Sequence, residues 1–197
     1  NVDYIRVNVG GIVGYSHLPV TDVTNNGNVT YEGTCAGRLI MGGVCGVCNT
    51  VSDAIPLNEN LVNNATVTFK KGSSLGHYLM IGGVPGYINK NKNCTNNGAV
   101  IIEDNVTWGN ANSYIAGTAG FVCGLTENMT NNAPLTVGKD CSHPGAEYEY
   151  IGGTIGFLYS GDADGLYNTE KGVITIGKSD YTGYVLLGGC LGAAPAW

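Results

Sequence analysis

Seven cysteines carry the most reactive side chains of this 197-residue chain. Only one pair is a C-x-x-C, and no second pair stands at the spacing that zinc sites use. No helix is predicted after that pair, as a thioredoxin-like redox site would need. We expect disulfides for some cysteines if the chain is exported, with buried free thiols as the alternative, and no metal or cofactor site. The seven are Cys35, Cys45, Cys48, Cys94, Cys123, Cys141 and Cys190.

Five Asn-x-Thr sequons are candidate N-glycosylation sites if the source glycosylates its exported proteins. Glycosylation would place them in surface loops. Two of the five overlap a recurring asparagine motif, so their number exceeds chance only modestly. The five acceptors are Asn28, Asn64, Asn93, Asn105 and Asn128.

Histidines and carboxylates offer no clear catalytic constellation. The three histidines stand in predicted loops, where an exposed or capping role is expected: His17, His77 and His143. Four acids could in principle pair for glycoside hydrolysis: Glu147, Glu149, Asp162 and Asp164. An enzyme that acts on acidic sugars usually also needs clustered cations, which are sparse here. We therefore predict no catalytic residues, and a β-helix carbohydrate-active enzyme remains an alternative.

Composition excludes several functions. The formal net charge is −6 with only nine Lys and Arg, so no basic surface is predicted for nucleic acid. No apolar run reaches the length of a membrane-spanning helix. Glycine makes up 32 residues and asparagine 22, and each helix-internal glycine costs about 1 kcal/mol relative to alanine, so a helix-rich fold is improbable.

Two motifs repeat along the whole chain in one register. A glycine motif occurs six times, with spacings of 32, 40, 34, 36 and 36 residues between its last glycines. Its copies are Val9–Tyr15, Met41–Val47, Ile81–Tyr87, Ile115–Phe121, Ile151–Phe157 and Leu187–Ala193. An asparagine turn begins with an Asn-Asn doublet at Asn25, Asn63, Asn96 and Asn131, and a decayed copy stands at Asn168. We predict one repeat domain over 1–197, with units that end near 15, 47, 87, 121, 157 and 193.

Short β-branched runs follow these turns, as at Ala65–Phe69, Val100–Ile102 and Val173–Ile176, and predict an all-β fold. A polar loop is predicted to lead from each glycine motif to the next asparagine turn. Units of this size cannot bury their apolar face alone, so we expect a β-solenoid (parallel β-helix) of about six repeats of ~36 residues. Equivalent residues would then stack about 4.8 Å apart. The five turn asparagines would form a hydrogen-bonded ladder. One aromatic column would contain Tyr15, Tyr87, Phe121 and Phe157, with Val47 and Ala193 as smaller rungs.

Two other architectures fit the repeats less well. A six-bladed propeller needs four strands per unit, and the units show two clear ones. An immunoglobulin-like sandwich with a donated N-terminal strand is the second alternative. That strand would place Asp3, Ile5, Val7 and Val9 on one face.

The glycine and asparagine motifs resemble the glycine-rich GLUG-like repeats of large surface and secreted proteins, notably from Bacteroidota. The best matches are Asn93–Val122 and Asn8–Tyr15, and the resemblance covers essentially the whole chain. It implies a right-handed parallel β-helix at the cell surface, with adhesive or structural roles and no fixed catalytic residues. The chain departs from that pattern in its cysteines and in Ala116, which replaces the first glycine of the fourth motif.

These observations predict an extracellular structural or adhesive subunit that assembles head to tail into a surface fibre. The absence of a polar cap at either end of the array predicts coverage by neighbouring subunits or by further repeats. The alternative is a monomeric adhesin or carbohydrate-binding module of a larger surface protein. Its contact strip would contain Tyr148, Tyr150, Tyr181 and Tyr184. The predicted partners are copies of the chain itself and surface glycans.

Overall fold

The computed structural model describes residues 5–49, 57–109, 111–178 and 180–195, and within them every regular element is a β-strand. All strand pairings are parallel, and each strand pairs with its counterpart about one repeat away in sequence. The predicted β-solenoid is therefore confirmed, and the sandwich and the propeller are wrong. Part of the proposed donated strand, Asp3, lies outside the described residues; the part that is described pairs within its own chain.

Sheet 1 carries the first half of every glycine motif and has six strands in stack order. They are β1 (Arg6–Gly10), β6 (Arg38–Gly42), β11 (Leu79–Gly82), β14 (Ser113–Ala116), β18 (Tyr148–Gly152) and β23 (Tyr184–Gly188). Like residues align: Met41 pairs with Val9 below it and Ile81 above it.

Sheet 2 follows the glycine pair and extends to the asparagine turn. Its first part contains β2 (Val13–Ser16), β7 (Cys45–Cys48), β12 (Pro85–Asn96), β15 (Ala119–Asn131), β19 (Ile155–Ser160) and β24 (Leu191–Ala193). Its second part contains β3 (Thr21–Asn25), β8 (Asn58–Asn63) and β20 (Ala163–Asn168), which pair with the far ends of β12 and β15 or with each other. A register shift between Asn89 and Asn91 marks the bend between the two parts.

Sheet 3 follows the asparagine turn. It contains β4 (Val29–Tyr31), β9 (Val67–Phe69), β13 (Val100–Ile102), β16 (Leu135–Val137) and β21 (Ile174–Ile176). Two short pairs then lead back to sheet 1: β5 (Thr34–Cys35) with β10 (Ser74–Leu75), and β17 (Ser142–His143) with β22 (Asp180–Tyr181). Five passes through sheet 3 and six through sheet 1 give about five full coils.

The interior holds two apolar clusters. The larger one lies between sheets 1 and 3 and contains Leu39, Phe69 and Trp108, all fully buried. The smaller one lies inside the bend of sheet 2 and contains Leu61 and Met129. Burial of these side chains supplies the main driving force for the fold, since each contributes roughly 1.5–3 kcal/mol.

The second glycine of the motif explains why the two motifs keep one register. A Cβ atom placed on Gly83 would overlap the Asn96 side chain and the carbonyl oxygen of Gly117. Corresponding glycines of four other motifs likewise face the turn asparagine of their own coil. The second glycine of each pair thus leaves the space that the asparagine side chain fills. Ala116 replaces a first glycine, whose counterparts face backbone atoms and not the turn asparagine.

Candidate functional site

The five turn asparagines lie in one column through the coils. Asn25 Nδ2 donates to Asn63 Oδ1 at 2.9 Å, and Asn63 Nδ2 donates to Asn96 Oδ1 at 2.9 Å. The column continues through Asn131 to Asn168 with distances of 3.0 and 2.9 Å. Each Nδ2 also donates to a backbone carbonyl of its own turn. The buried amides are thereby satisfied, as a low-dielectric interior requires.

Two further ladders run beside this column and were missed by the sequence analysis. One joins Asp22, Asn60, Asn93 and Asn128 through contacts of 2.7, 3.0 and 3.2 Å. These four residues share a left-handed backbone with φ between 54° and 56°, a conformation that Asn and Asp tolerate. The signal was present in the sequence, because each stands three residues before a turn asparagine.

The third ladder uses the second asparagine of each turn. Asn64 donates to Asn26 at 2.9 Å, Asn97 to Asn64 at 2.8 Å, and Asn132 to Asn97 at 2.9 Å. This ladder lies at the surface. The sequence analysis recognised the Asn-Asn doublet but assigned a ladder only to its first member.

The sequon asparagines fall into two groups. Asn64, Asn93 and Asn128 use their Nδ2 atoms within the surface ladders. Asn28 and Asn105 are exposed, and no ladder neighbour engages their Nδ2 atoms in the described part of the chain. If the chain is glycosylated, Asn28 and Asn105 are the acceptors whose modification leaves the ladders intact.

The cysteines divide by burial. Cys45 and Cys48 form a disulfide within β7. Cys35, Cys94 and Cys141 are buried free thiols, and burial raises the pKa of Cys94 to about 12, which keeps it protonated. Cys123 and Cys190 are half-buried and unpaired. The expected disulfide chemistry therefore applies to one pair, and three others behave as small apolar side chains.

An aromatic column runs along the outside of sheet 2. Tyr15, Val47, Tyr87, Phe121 and Phe157 occupy successive rungs in register, and Ala193 follows. The Tyr87 and Phe121 rings stack with centroids 5.4 Å apart and planes within 10°. The Phe121 and Phe157 rings are 5.6 Å apart.

Sheet 1 contributes a second column that packs against the first. Tyr114 and Tyr150 stack at 5.4 Å. Across the corner between the sheets, Tyr114 meets Phe121 at 5.0 Å and Tyr150 meets Phe157 at 4.6 Å. We call Tyr87, Tyr114, Phe121, Tyr150 and Phe157 the aromatic face. Burial raises the pKa of the Tyr114 hydroxyl to about 12, so this face stays uncharged at ordinary pH.

The tyrosine strip predicted from the sequence is only partly continuous with this face. Tyr148 stacks on Tyr150 at 5.7 Å and on Tyr184 at 5.6 Å. Tyr181 instead packs against the interior beside Trp108, with centroids 6.4 Å apart. Three of the four predicted tyrosines therefore lie together, and Tyr181 does not.

The aromatic face is interrupted near the N-terminal end of the stack. There Ile40 and Val47 replace rings, and a surface pocket of about 250 Å³ opens beside Tyr15 and Tyr87. Arg6 also lines it.

His143 corrects the expectation of an exposed histidine. Its ring is 1% exposed, and Nδ1 lies 2.7 Å from Glu149 Oε2, whose side chain is 2% exposed. Nε2 lies 2.6 Å from the Ala111 carbonyl, which can only accept, so Nε2 carries a proton. Nδ1 and Oε2 lie at hydrogen-bond distance, which requires a further proton between them, and burial raises the pKa of Glu149. Glu149 is thus an internal structural group and is not available to substrate.

The other candidate acids are not brought together with it. Glu147 is exposed on the coil surface, and Asp162 and Asp164 are exposed at the end of the stack. No group of three metal-ligating side chains occurs within residues 5–49, 57–109, 111–178 and 180–195. The same residues include no helix that is long and apolar enough to cross a membrane.

Comparison with known proteins gives no relative. No family model, no curated protein and no solved structure matches this chain.

Proposed function

We propose that this chain is an extracellular structural and adhesive repeat protein whose copies stack head to tail into a fibre at the cell surface. The observation that carries the proposal is the polarity of the hydrogen-bonded column of the five turn asparagines, which we call the central ladder. In each of the four bonds between successive asparagines, Nδ2 donates toward the coil that follows in sequence and Oδ1 of that coil accepts. Such a column has a donor end and an acceptor end, so a second copy would continue it in one orientation only.

The two end rungs have capacity for that continuation. Asn168 Nδ2 donates to the Gly172 carbonyl and keeps one N–H. Asn25 Oδ1 accepts from the Gly27 amide and keeps a lone pair. Stacking of Asn168 on Asn25 of a second copy would use both.

The end strands support the same orientation. Leu187 in β23 stands on the interior column of Ile151 yet is 55% exposed. At the opposite end, Ile12 is 48% exposed, although it precedes Val44 on an interior column. Stacking would bury both side chains and pair the outer edges of β1 and β23. Open parallel edges of this kind are templates for strand addition.

Leu187→Lys tests this assembly. A lysine at this open end of the interior column leaves the monomer intact, because more than half of the Leu187 side chain is already exposed, but it would place a charge in the stacked interface. Leu125→Lys is the matched control, because Leu125 is 36% exposed on the side of the stack. We expect negative-stain microscopy and light scattering to show fibres for the wild type and Leu125→Lys, and monomers for Leu187→Lys. A wild type that stays monomeric at all concentrations, or fibres of Leu187→Lys, would refute head-to-tail stacking.

The second candidate is a monomeric adhesin or carbohydrate-binding module, and the aromatic face favours it. A row of uncharged aromatic rings presents an apolar surface that suits the C–H groups of sugars. The resemblance to GLUG-like surface repeats supports either role and the cell-surface location, and neither role includes a catalytic step. Glycan-array binding by monomeric Leu187→Lys separates this candidate from a purely structural protein.

A further inference from the structure

The pocket beside the aromatic face is formed by a gap in the sheet 2 column. Tyr15 and Tyr87 are both in register with Val47, which lies between them. Two strand spacings separate these tyrosines, about 10 Å. Carbon atoms in contact approach to about 3.5–4.0 Å, so the gap admits one flat ring-sized group above the valine side chain.

Polar groups stand at the rim of this pocket. The chain has only two arginines. Arg6 lines the pocket, and Arg38, which pairs with it in register, contacts the lining residue Tyr78. Arg38 Nη1 donates to the Tyr78 hydroxyl at 2.6 Å, and its guanidinium lies 4.7 Å from the centre of that ring. Arg38 thereby holds the side chain of Tyr78, which lines the pocket, in place.

Arg6 has a different role, because it is exposed and no carboxylate in the described part of the chain pairs with it. Asn49 stands on the same rim and accepts a hydrogen bond from Asn89 on its Oδ1 at 2.9 Å, which leaves its Nδ2 as a donor. A guanidinium and an amide N–H beside two tyrosine rings form a donor-rich rim in a protein of net charge −6. Such a rim favours an anionic ligand, above all a carboxylate that guanidinium binds in bidentate fashion.

We propose that this pocket, which we call the Arg6 pocket, binds a carboxylated sugar residue. The sugar ring would lie between Tyr15 and Tyr87 with its carboxylate on Arg6 and a hydroxyl on Asn49. A peptide fits less well, because β6 and β7 at the base of the pocket pair with strands on both sides and offer no free backbone edge. The inference rests on the glycan-binding candidate above and is independent of head-to-tail stacking.

Titration of monomeric Leu187→Lys with defined sugars tests the site. The probes are trigalacturonic acid and 3′-sialyllactose, and the methyl ester of each serves as its neutral partner. We expect one or both acidic probes to bind, and their uncharged partners to bind at least about tenfold more weakly, as loss of a charge-assisted contact predicts. The two acidic probes distinguish a uronic from a sialic acid.

Three variants assign the binding to this pocket. Arg6→Gln should weaken the acidic probe about tenfold or more and leave its neutral partner unchanged. Val47→Phe should abolish binding, because it fills the gap as Phe121 does between Tyr87 and Phe157. Lys92→Gln, a surface cation paired with Glu127 at 3.2 Å, is the control and should bind as the parent does. Circular dichroism verifies that each variant folds.

The outcomes separate the pocket from the wider function. Acidic-sugar binding that survives Arg6→Gln and Val47→Phe overturns the Arg6 pocket but keeps glycan binding elsewhere on the protein. Equal affinity for acidic and neutral probes overturns the carboxylate assignment. Binding of no probe overturns the pocket, and if the glycan array is also negative, it overturns the glycan-binding candidate as well.

Discussion

At the scale of single residues, this protein buries polar groups by giving each the same partner. A turn asparagine has an amide donor and acceptor, and the next coil presents an identical pair at the spacing of the sheet. The desolvation cost that isolated amides would carry is offset along the whole column. His143 and Glu149 solve the same problem without a repeat, because they pair only with each other and with nearby groups of their own and the preceding coil.

Substitution Glu149→Gln should change how stability depends on pH. Burial raises the pKa of Glu149 above its ordinary 4.5, so the folded protein holds a proton there that the unfolded chain releases. That contribution is present below pH 4.5 and is lost as pH rises through the raised pKa. The free energy of unfolding of the wild type relative to Glu149→Gln should therefore fall as pH rises. The slope should correspond to a difference of at most one bound proton between the folded and unfolded states.

Urea unfolding of both proteins between acid and neutral pH measures this difference. Glu147→Gln is the control, because Glu147 is an exposed neighbour, and it should reproduce the wild-type profile. A difference between the wild type and Glu149→Gln that stays constant or grows with pH would contradict a shared buried proton.

At the scale of strands, the sequence predicted those elements that periodic motifs mark. The run predicted at Val100–Ile102 is β13 without change. The run at Val173–Ile176 is β21 with one residue fewer, and the run at Ala65–Phe69 is β9 with two residues fewer. The glycine pairs and asparagine turns identified the corners of the coil, because both motifs reflect steric requirements that recur in every coil.

The second half of sheet 2 was predicted as a polar loop and is a strand. β12 continues from Tyr87 to Asn96 through a segment rich in Asn and Lys, a composition that local sequence patterns assign to turns. Cys94 points into the core, where it stacks between Leu61 and Met129 of the adjacent coils. Asn91 is also buried, and its Oδ1 accepts a hydrogen bond from the Thr126 hydroxyl at 2.7 Å. Those partners lie about 35 residues away, so local pattern could not reveal them. The Arg6 pocket was missed for the same reason.

Gly83→Ala tests the steric link between the two motifs. Its added methyl group would overlap Asn96 and the carbonyl of Gly117, so we expect destabilisation of about 1–3 kcal/mol, as overpacking of a rigid interior costs. Gly189→Ala is the matched control at the same place in the sixth motif, where nothing lies within 4 Å. It should stay within about 0.5 kcal/mol of the wild type. The midpoints of urea unfolding measure the stability of both variants, and equal effects would contradict the steric link between the glycine and asparagine motifs.

At the scale of the whole molecule, the contacts between adjacent coils are near copies of one another. Strand pairing, the central ladder and the apolar columns each present the same chemistry at every coil boundary, so the interface between two molecules would repeat the interface within one. Such an interface joins unlike ends and is heterologous. It differs in a testable way from an isologous dimer, in which like ends meet.

Mixing two blocked variants distinguishes these cases. Leu187→Lys blocks the β23 end, and Ile12→Lys would block the opposite end, where Ile12 is 48% exposed. Under head-to-tail stacking each variant alone stays monomeric, yet an equimolar mixture forms a one-to-one dimer, because the free end of each fits the free end of the other. The dimer cannot grow, since both remaining ends carry lysine. Light scattering and native mass spectrometry measure the masses. Dimers of Ile12→Lys alone would show that like ends associate, and a mixture that stays monomeric would show that the ends do not associate.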